Sequence, residues 1–446
     1  TIKDYVKSNP TVTTCSNNSQ TNVIILNSII DSSSKKNDYG GSGNVFGGGY
    51  GPRAVVAGST NVYIGKASDI SSSAGSSVII DGSVFGGGNM GSIGVIPGVF
   101  SFDKVDDYSK VNSKLEDYNK SSVNSKITAD VNVVINNDSD EIQIKGSVYG
   151  GGKGGDLKTG PNGENIDLKG YAVVYGTTSV CITGNSAGSN SNLAITGSVY
   201  GGGLGETEGV HSVQYAEIYD SATVDVTYAE IGGSVYGGGE YGIIGHFVDG
   251  ESKKSGIQVN GNDIYIIERD FCGDALYSDN GTLKLNKEGN QYKGKASTTV
   301  TIESSSIGGN VFGGGKGVKT EGSNIGGNIL SGAVGRETNV TINSGTSVKG
   351  NVYGGGEFGI IGSTTTQLIM ISKNGTNPFD EPNVETGSAS SVIVNIPHIK
   401  LTESGKIESN IDIQNDVCTH VNINGGTIKG SVFGAGKGET LNPLHV

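Results

Sequence analysis

The chain has no tryptophan, two methionines, eight prolines, five histidines and four cysteines in 446 residues, and each scarcity excludes something. Its longest apolar runs, such as Val23-Ile24-Ile25-Leu26, are far too short to cross a membrane. Basic side chains number 31 against 44 acidic ones, a net charge of −13. No Lys/Arg cluster follows the repeats described below, so nucleic acid is not an expected partner. His211, His246, His398, His420 and His445 form no metal-ligand spacing, and no cofactor is expected. Cys15, Cys181, Cys272 and Cys418 lie too far apart for a zinc motif and leave three disulfide connectivities open. They read first as isolated small side chains. Cys181 alternates with Val180 and Ile182, so it should face away from them and be the most available for a bridge. Thr1 is not followed by the basic and apolar regions of a signal peptide. The Gly/Ser/Asn/Thr-rich composition, poor in lysine, reads as secreted material from which a signal has been removed.

What is abundant is glycine, 76 residues of it, and it is arranged. The phrase GNVFGGG (43–49) returns as GSVFGGG (82–88), GSVYGGG (146–152, 197–203 and 233–239), GNVFGGG (309–315), GNVYGGG (350–356) and finally GSVFGAG (430–436). Before each lies a shorter motif, a polar residue, then Val, any residue, and Ile or Val, as in Asn61-Val62-Tyr63-Ile64 and Asn339-Val340-Thr341-Ile342. Its period of two reads as a strand. Two such short strands cannot bury an apolar face alone, but like units stacked along an axis can, with rungs about 4.8 Å apart. The expected fold is therefore all-β, a parallel β-helix or β-solenoid with inserted loops and small sub-structures. Triple glycine is expected to supply a corner open to positive φ and a surface bare enough for stacked corners, or a ring lying flat on them, to approach closely.

Two columns follow from stacking. Phe46, Phe85, Tyr149, Tyr200, Tyr236, Phe312, Tyr353 and Phe433 should form an aromatic column, either buried or an interface. Just past the glycines stand Tyr50, Asn89, Lys153, Leu204, Glu240, Lys316, Glu357 and Lys437. The last four alternate in sign, so each lysine is expected between opposite charges, helping to fix register. GGGEYGIIG (237–245) and GGGEFGIIG (354–362) are near copies, which an internal duplication of a two-unit block explains.

The expected organisation is an extended arm at 1–20, a solenoid over 21–438 with inserts at 89–131, 153–178, 246–298 and 363–417, and a tail at 439–446. Residues 102–118 carry apolar residues at helical spacing and read as a short amphipathic helix. The strand-like runs in 246–298 and 363–417 read as small projecting sheets or extra rungs. Asn136–Glu141 could hold calcium but reads better as a solvated turn.

Motifs for chemistry fail on inspection. Lys153, Lys316 and Lys437 are each followed by Gly, where a phosphate loop needs Ser or Thr. Glu240 and Glu357 share a column two units apart, near the carboxylate spacing of inverting glycosidases, but Lys316 between them would hold both ionised. The favoured reading is not an enzyme. A polysaccharide-binding or polysaccharide-degrading β-helix is the alternative.

The run VNINGGTIKGSVFGAGKG (421–438), with its relatives throughout, resembles the glycine-rich repeats of large secreted and cell-surface adhesin-like proteins of gut bacteria and related microbes. The likeness covers all eight units, about half the chain; units one to three depart in turn length and unit eight carries Ala435. It implies a right-handed β-helix, a secreted or surface location and a structural or adhesive role, and it supplies no catalytic residues; the sequence does not name an adhesion target, and host or cell-surface glycans are one candidate partner. Self-association is also expected, head to tail into a homopolymer, through an arm whose apolar residues include Ile2, Tyr5, Val6 and Val12, the alternatives being an arm that folds back to cap its own coil or a chain that is a fragment of a longer array.

Overall fold

The computed structural model describes residues 20–32, 43–52, 54–65, 77–94, 129–137, 141–159, 165–185, 192–206, 216–248, 255–259, 262–272, 275–277, 283–285, 287–288, 291–292, 296–318, 331–359, 361, 365–372, 392–396, 400–401, 407–408 and 418–438. The expected helix at 102–118, the arm residues Ile2, Tyr5, Val6 and Val12, the tail 439–446 and residues 138–140 of the calcium candidate lie outside them.

The short polar-Val-x-Ile motifs form strands, and they pair in parallel. Three parallel sheets of eight strands each build a β-solenoid, and each glycine phrase supplies one coil. The first sheet runs from Thr21–Ile25 through Thr60–Gly65, Val131–Asn136, Thr178–Thr183, Ala222–Thr227, Thr298–Glu303 and Glu337–Ile342 to Cys418–Ile423. Like residues meet in register, Val62 on Val133 and Ile64 on Ile135. The second sheet runs from Ile29–Ile30 to Thr427–Ile428, and the third from Val45–Phe46 to Val432–Phe433. Their inward Val and Ile residues fill one continuous core in which most are fully buried. At roughly 1.5–3 kcal/mol for each fully buried aliphatic side chain, this column is the main offset to the entropy of ordering so many glycines.

Each of the first seven coils then makes two single-residue contacts before returning to the first sheet. One follows the glycines, Tyr50 on Asn89, Asn89 on Lys153 and so on through Glu240 on Lys316, then Lys316 on Phe358 and Glu357 on Lys437. The other stacks Val56, Ile93, Val174, Ile218, Ile244, Val334 and Ile361. These make a second small core with Ala129, Val131 and Ala222. The inserts are accordingly narrower than expected. Asn89, Ile93, Val131, Lys153, Val174 and Thr178, assigned above to inserts, are ladder positions, because the coil needs two more contacts after its glycine corner before it closes.

The triple-glycine corner is explained by proximity alone. None of its glycines has positive φ, contrary to expectation. The left-handed conformation falls two residues further on, at Gly51, Met90, Tyr241 and Phe358. A Cβ on the first glycine of a corner would lie 2.1–2.5 Å from the matching carbonyl oxygen of the next coil. On the middle glycine it would lie 2.6–2.8 Å from the backbone nitrogen of the next coil's third glycine. On the third it would meet the preceding coil's carbonyl at 2.5–2.8 Å. Rings do not lie on the glycines; other glycines do.

Polar side chains tie the coil across and along its axis. Thr60, Thr178, Thr298 and Thr338 donate Oγ1–H to the carbonyl of their own coil's first corner glycine at 2.6–2.8 Å. The Ser or Asn that precedes each third-sheet valine accepts, through its side-chain oxygen, the backbone N–H of its counterpart in the next coil. That chain runs through Asn44, Ser83, Ser147, Ser198, Ser234, Asn310, Asn351 and Ser431 at 2.7–3.0 Å.

The inserts 246–298 and 363–417, released by the two near-copy units, meet in one five-stranded antiparallel sheet. Its centre pairs Asn262–Cys272 with Thr365–Ser372, in register from Asp263 opposite Ser372 to Asp270 opposite Thr365. Strands from both inserts therefore build one shared element.

Candidate functional site

The aromatic column exists as drawn from the sequence. Its seven successive ring pairs stack with centroids 4.6–4.9 Å apart and planes within 2–10°. From Phe85 to Tyr353 the rings are buried. Phe433, in the last coil, is 44% exposed.

Beside it, the charge column makes two copies of one arrangement. Lys316 Nζ lies 2.7 Å from Glu240 Oε1, and Lys437 Nζ 2.7 Å from Glu357 Oε1. The second oxygen of each carboxylate accepts a phenol, Tyr149 Oη–H on Glu240 and Tyr236 Oη–H on Glu357, each two coils back along the axis. Each ammonium also stands over a ring of the preceding coil, Lys316 over Tyr241 at 5.3 Å and Lys437 over Phe358 at 5.4 Å. The expectation that each lysine sits between opposite charges needs correction. Each pairs with the glutamate of the coil before it, since Glu357 commits its oxygens to Lys437 and Tyr236.

The electrostatics follow from partial burial. Burial first, and then the charge and hydrogen bond of Glu240, push the Tyr149 phenol well above its ordinary 10.0; Tyr236 is raised in the same way beside Glu357. Tyr200, stacked between them, is raised by burial and then by Glu240. Burial pulls Lys316 down, but the bond to Glu240 and its charge outweigh this and leave it raised. The result is a set of neutral phenols and ion pairs in which every carboxylate oxygen is already bonded.

Other sequence candidates fall elsewhere. Cys181 is a free thiol, half-buried on the outward side of the first sheet between Val134 and Asp225, while Val180 and Ile182 are fully buried. His420 occupies the place of Asn339 one coil on, and its Nε2 lies 3.7 Å from Glu337 Oε1. Among the described residues, no group of three or more His, Cys, Asp or Glu converges as a metal site would require. Nor is any helix there long and apolar enough to cross a membrane.

The exposed surface points to the ends. Among the described residues of the stacked coils, the exposed large apolar side chains are Ile24, Ile29 and Tyr50 in the first coil and Ile423, Val432 and Phe433 in the eighth. Their counterparts inside the stack at Ile342, Val352 and Tyr353 are at most 7% exposed. The candidate site is thus a pair of coil ends rather than a cleft. No family model matches the chain, and no curated protein or solved structure matches it either.

Proposed function

We propose that the protein is an extracellular structural or adhesive element, a solenoid rod that associates end to end with copies of itself and holds its inserts outward, with surface glycans as adhesion targets. One observation carries this reading: among the described residues of the stacked coils, the large apolar side chains that are exposed lie in the first and last coils. Edge strands over an apolar core invite pairing with another chain, and a heterologous contact between unlike ends extends into a fibre instead of closing. The extracellular location rests on composition and on the resemblance of the repeat.

The carbohydrate-active alternative is disfavoured by the bonding of Glu240 and Glu357, whose oxygens are held by a lysine and a tyrosine each. A general acid needs a carboxyl free to keep and deliver a proton. Sedimentation velocity across a concentration series, with electron microscopy of the same samples, tests the proposal. Concentration-dependent linear assemblies are expected, and a chain that stays monodisperse at high concentration defeats the end-to-end reading. Turnover of any polysaccharide that disappears in Glu240→Gln or Glu357→Gln would replace it with the enzymatic one.

A further inference from the structure

The corner of the eighth coil differs from those of the seven below it by one carbon atom, the Cβ of Ala435. In coils one to seven the middle corner residue is glycine, at 48, 87, 151, 202, 238, 314 and 355, and each time the next coil's third glycine leaves no room for a Cβ. In coil eight that position is Ala435. A first coil seated on it in ladder register would bring Gly49 N to the place where Gly436 N stands over Gly355, 2.6 Å from a Cβ. Backbone cannot give way there without losing the corner's own ladder bond, such as Gly314 N–H to Gly355 O at 3.1 Å.

Resting on the end-to-end reading, we propose that Ala435 is a stop: the eighth coil cannot take another glycine-cornered coil and instead takes an extended strand, residues 1–20 of a second copy. Such a strand adds to a sheet edge without bringing a glycine corner against Ala435. The edge on offer includes Cys418–Ile423 and Val432–Phe433, with Ile423, Val432 and Phe433 exposed beside it. The segment suits it in composition, with Ile2, Tyr5, Val6 and Val12 among polar residues. It also suits it in reach, since about 3.3 Å per extended residue spans several tens of ångströms.

The test uses the full chain, a chain lacking residues 1–20, and the same deletion carrying either Ala435→Gly or Phe433→Lys, each checked for folding by circular dichroism. Sedimentation velocity reports assembly, and anisotropy reports binding of a fluorescent peptide of residues 1–20. The full chain should assemble. The deletion should be monomeric yet bind the peptide, Phe433→Lys in the deletion background should weaken that binding at least tenfold, and Ala435→Gly should restore assembly to the deletion by letting coils stack. Assembly of the deletion with Ala435 intact overturns the stop and leaves the end-to-end reading standing. A monodisperse full chain, alongside assembly of the deletion carrying Ala435→Gly, defeats the end-to-end reading for the natural chain and keeps the stop. Absence of both peptide binding and Ala435→Gly assembly overturns the inference altogether.

Discussion

The corner of coil seven and the corner of coil eight have nearly the same sequence, Gly354-Gly355-Gly356 and Gly434-Ala435-Gly436, and opposite constraints. A Cβ on Gly354 would stand 2.3 Å from the Gly434 carbonyl, whereas a Cβ on Gly434 would meet nothing within 4 Å. Glycine is therefore required at a corner by the coil above it and not by the corner's own backbone. The third glycine obeys the complementary rule, answering to the coil below, and Gly436 is retained where Ala435 is not. The phrase encodes contact between neighbours, and its one departure, Ala435, falls in the coil that no other described coil covers.

The largest expected effect comes from violating the contact inside the stack. Gly314→Val would place a branched side chain where Ile361 Cδ1 and the Gly356 backbone already lie 2.7 and 2.8 Å from a bare Cβ. The substitution should destabilise by about 3 kcal/mol or more, or prevent folding of the upper coils. Chemical denaturation checks it, and unchanged unfolding would mean the corners are looser than the ladder implies.

The aromatic flank should show itself in alkali. A phenol whose folded pKa is raised above 10.0 contributes stability that is fully present below pH 10 and is lost as pH climbs through its folded value. Each such tyrosine costs about 1.4 kcal/mol per pH unit above 10. The double variant Tyr149→Phe/Tyr236→Phe should lose the two hydrogen bonds to glutamate, lowering stability at pH 7, yet give a flatter melting-temperature profile between pH 10 and 11.5. Parallel profiles for the two proteins would show that these phenols are not held neutral by the fold.

The columns were legible in the sequence because each unit repeats them at fixed distance from the glycines. Val148 sits on Val199, Tyr149 on Tyr200, and one phrase makes one coil. The column of Val56, Ile93, Val174 and Ile218 was not legible, because its members lie between five and 22 residues past the last corner glycine and carry no period. The Ser or Asn before each valine was visible as a regularity, since all eight units place a side-chain oxygen there. What could not be seen is that each oxygen takes an N–H from the following coil, as Ser147 Oγ does from Ser198. Glycine itself misled on φ. Left-handed backbone and close approach both select it, and only the structure separates them, putting positive φ at Met90, Tyr241 and Phe358 instead.

A smaller effect separates neighbouring coils from distant ones within the charge column. Lys316→Glu sets a carboxylate against Glu240 in place of the 2.7 Å pair and removes the cation from the Tyr241 ring. Lys316 is 31% exposed, so screening by solvent holds the loss to about 1 kcal/mol. The loss should shrink between 0.05 and 1 M salt, as the Debye length falls to roughly 3 Å. Equal losses at both salt concentrations would mean the pair contributes through packing and not through charge.

The smallest effect is the one that sharpens the comparison most. Gly434→Ala places a methyl in open space at a residue without positive φ, so it should change stability by no more than about 0.5 kcal/mol, or add slightly by restricting the unfolded chain. Gly354→Ala, the same change one coil lower, should cost several times more, because the Gly434 carbonyl must move. The contrast is to be measured at low concentration, where assembly does not contribute, and then repeated at high concentration. A strand added at the edge leaves the Gly434 corner open, so Gly434→Ala should stay neutral in both. A coil seated on coil eight would put a carbonyl on that methyl, and Gly434→Ala would then cost stability only at high concentration. That single change of behaviour with concentration would show that coils, rather than strands, occupy the end.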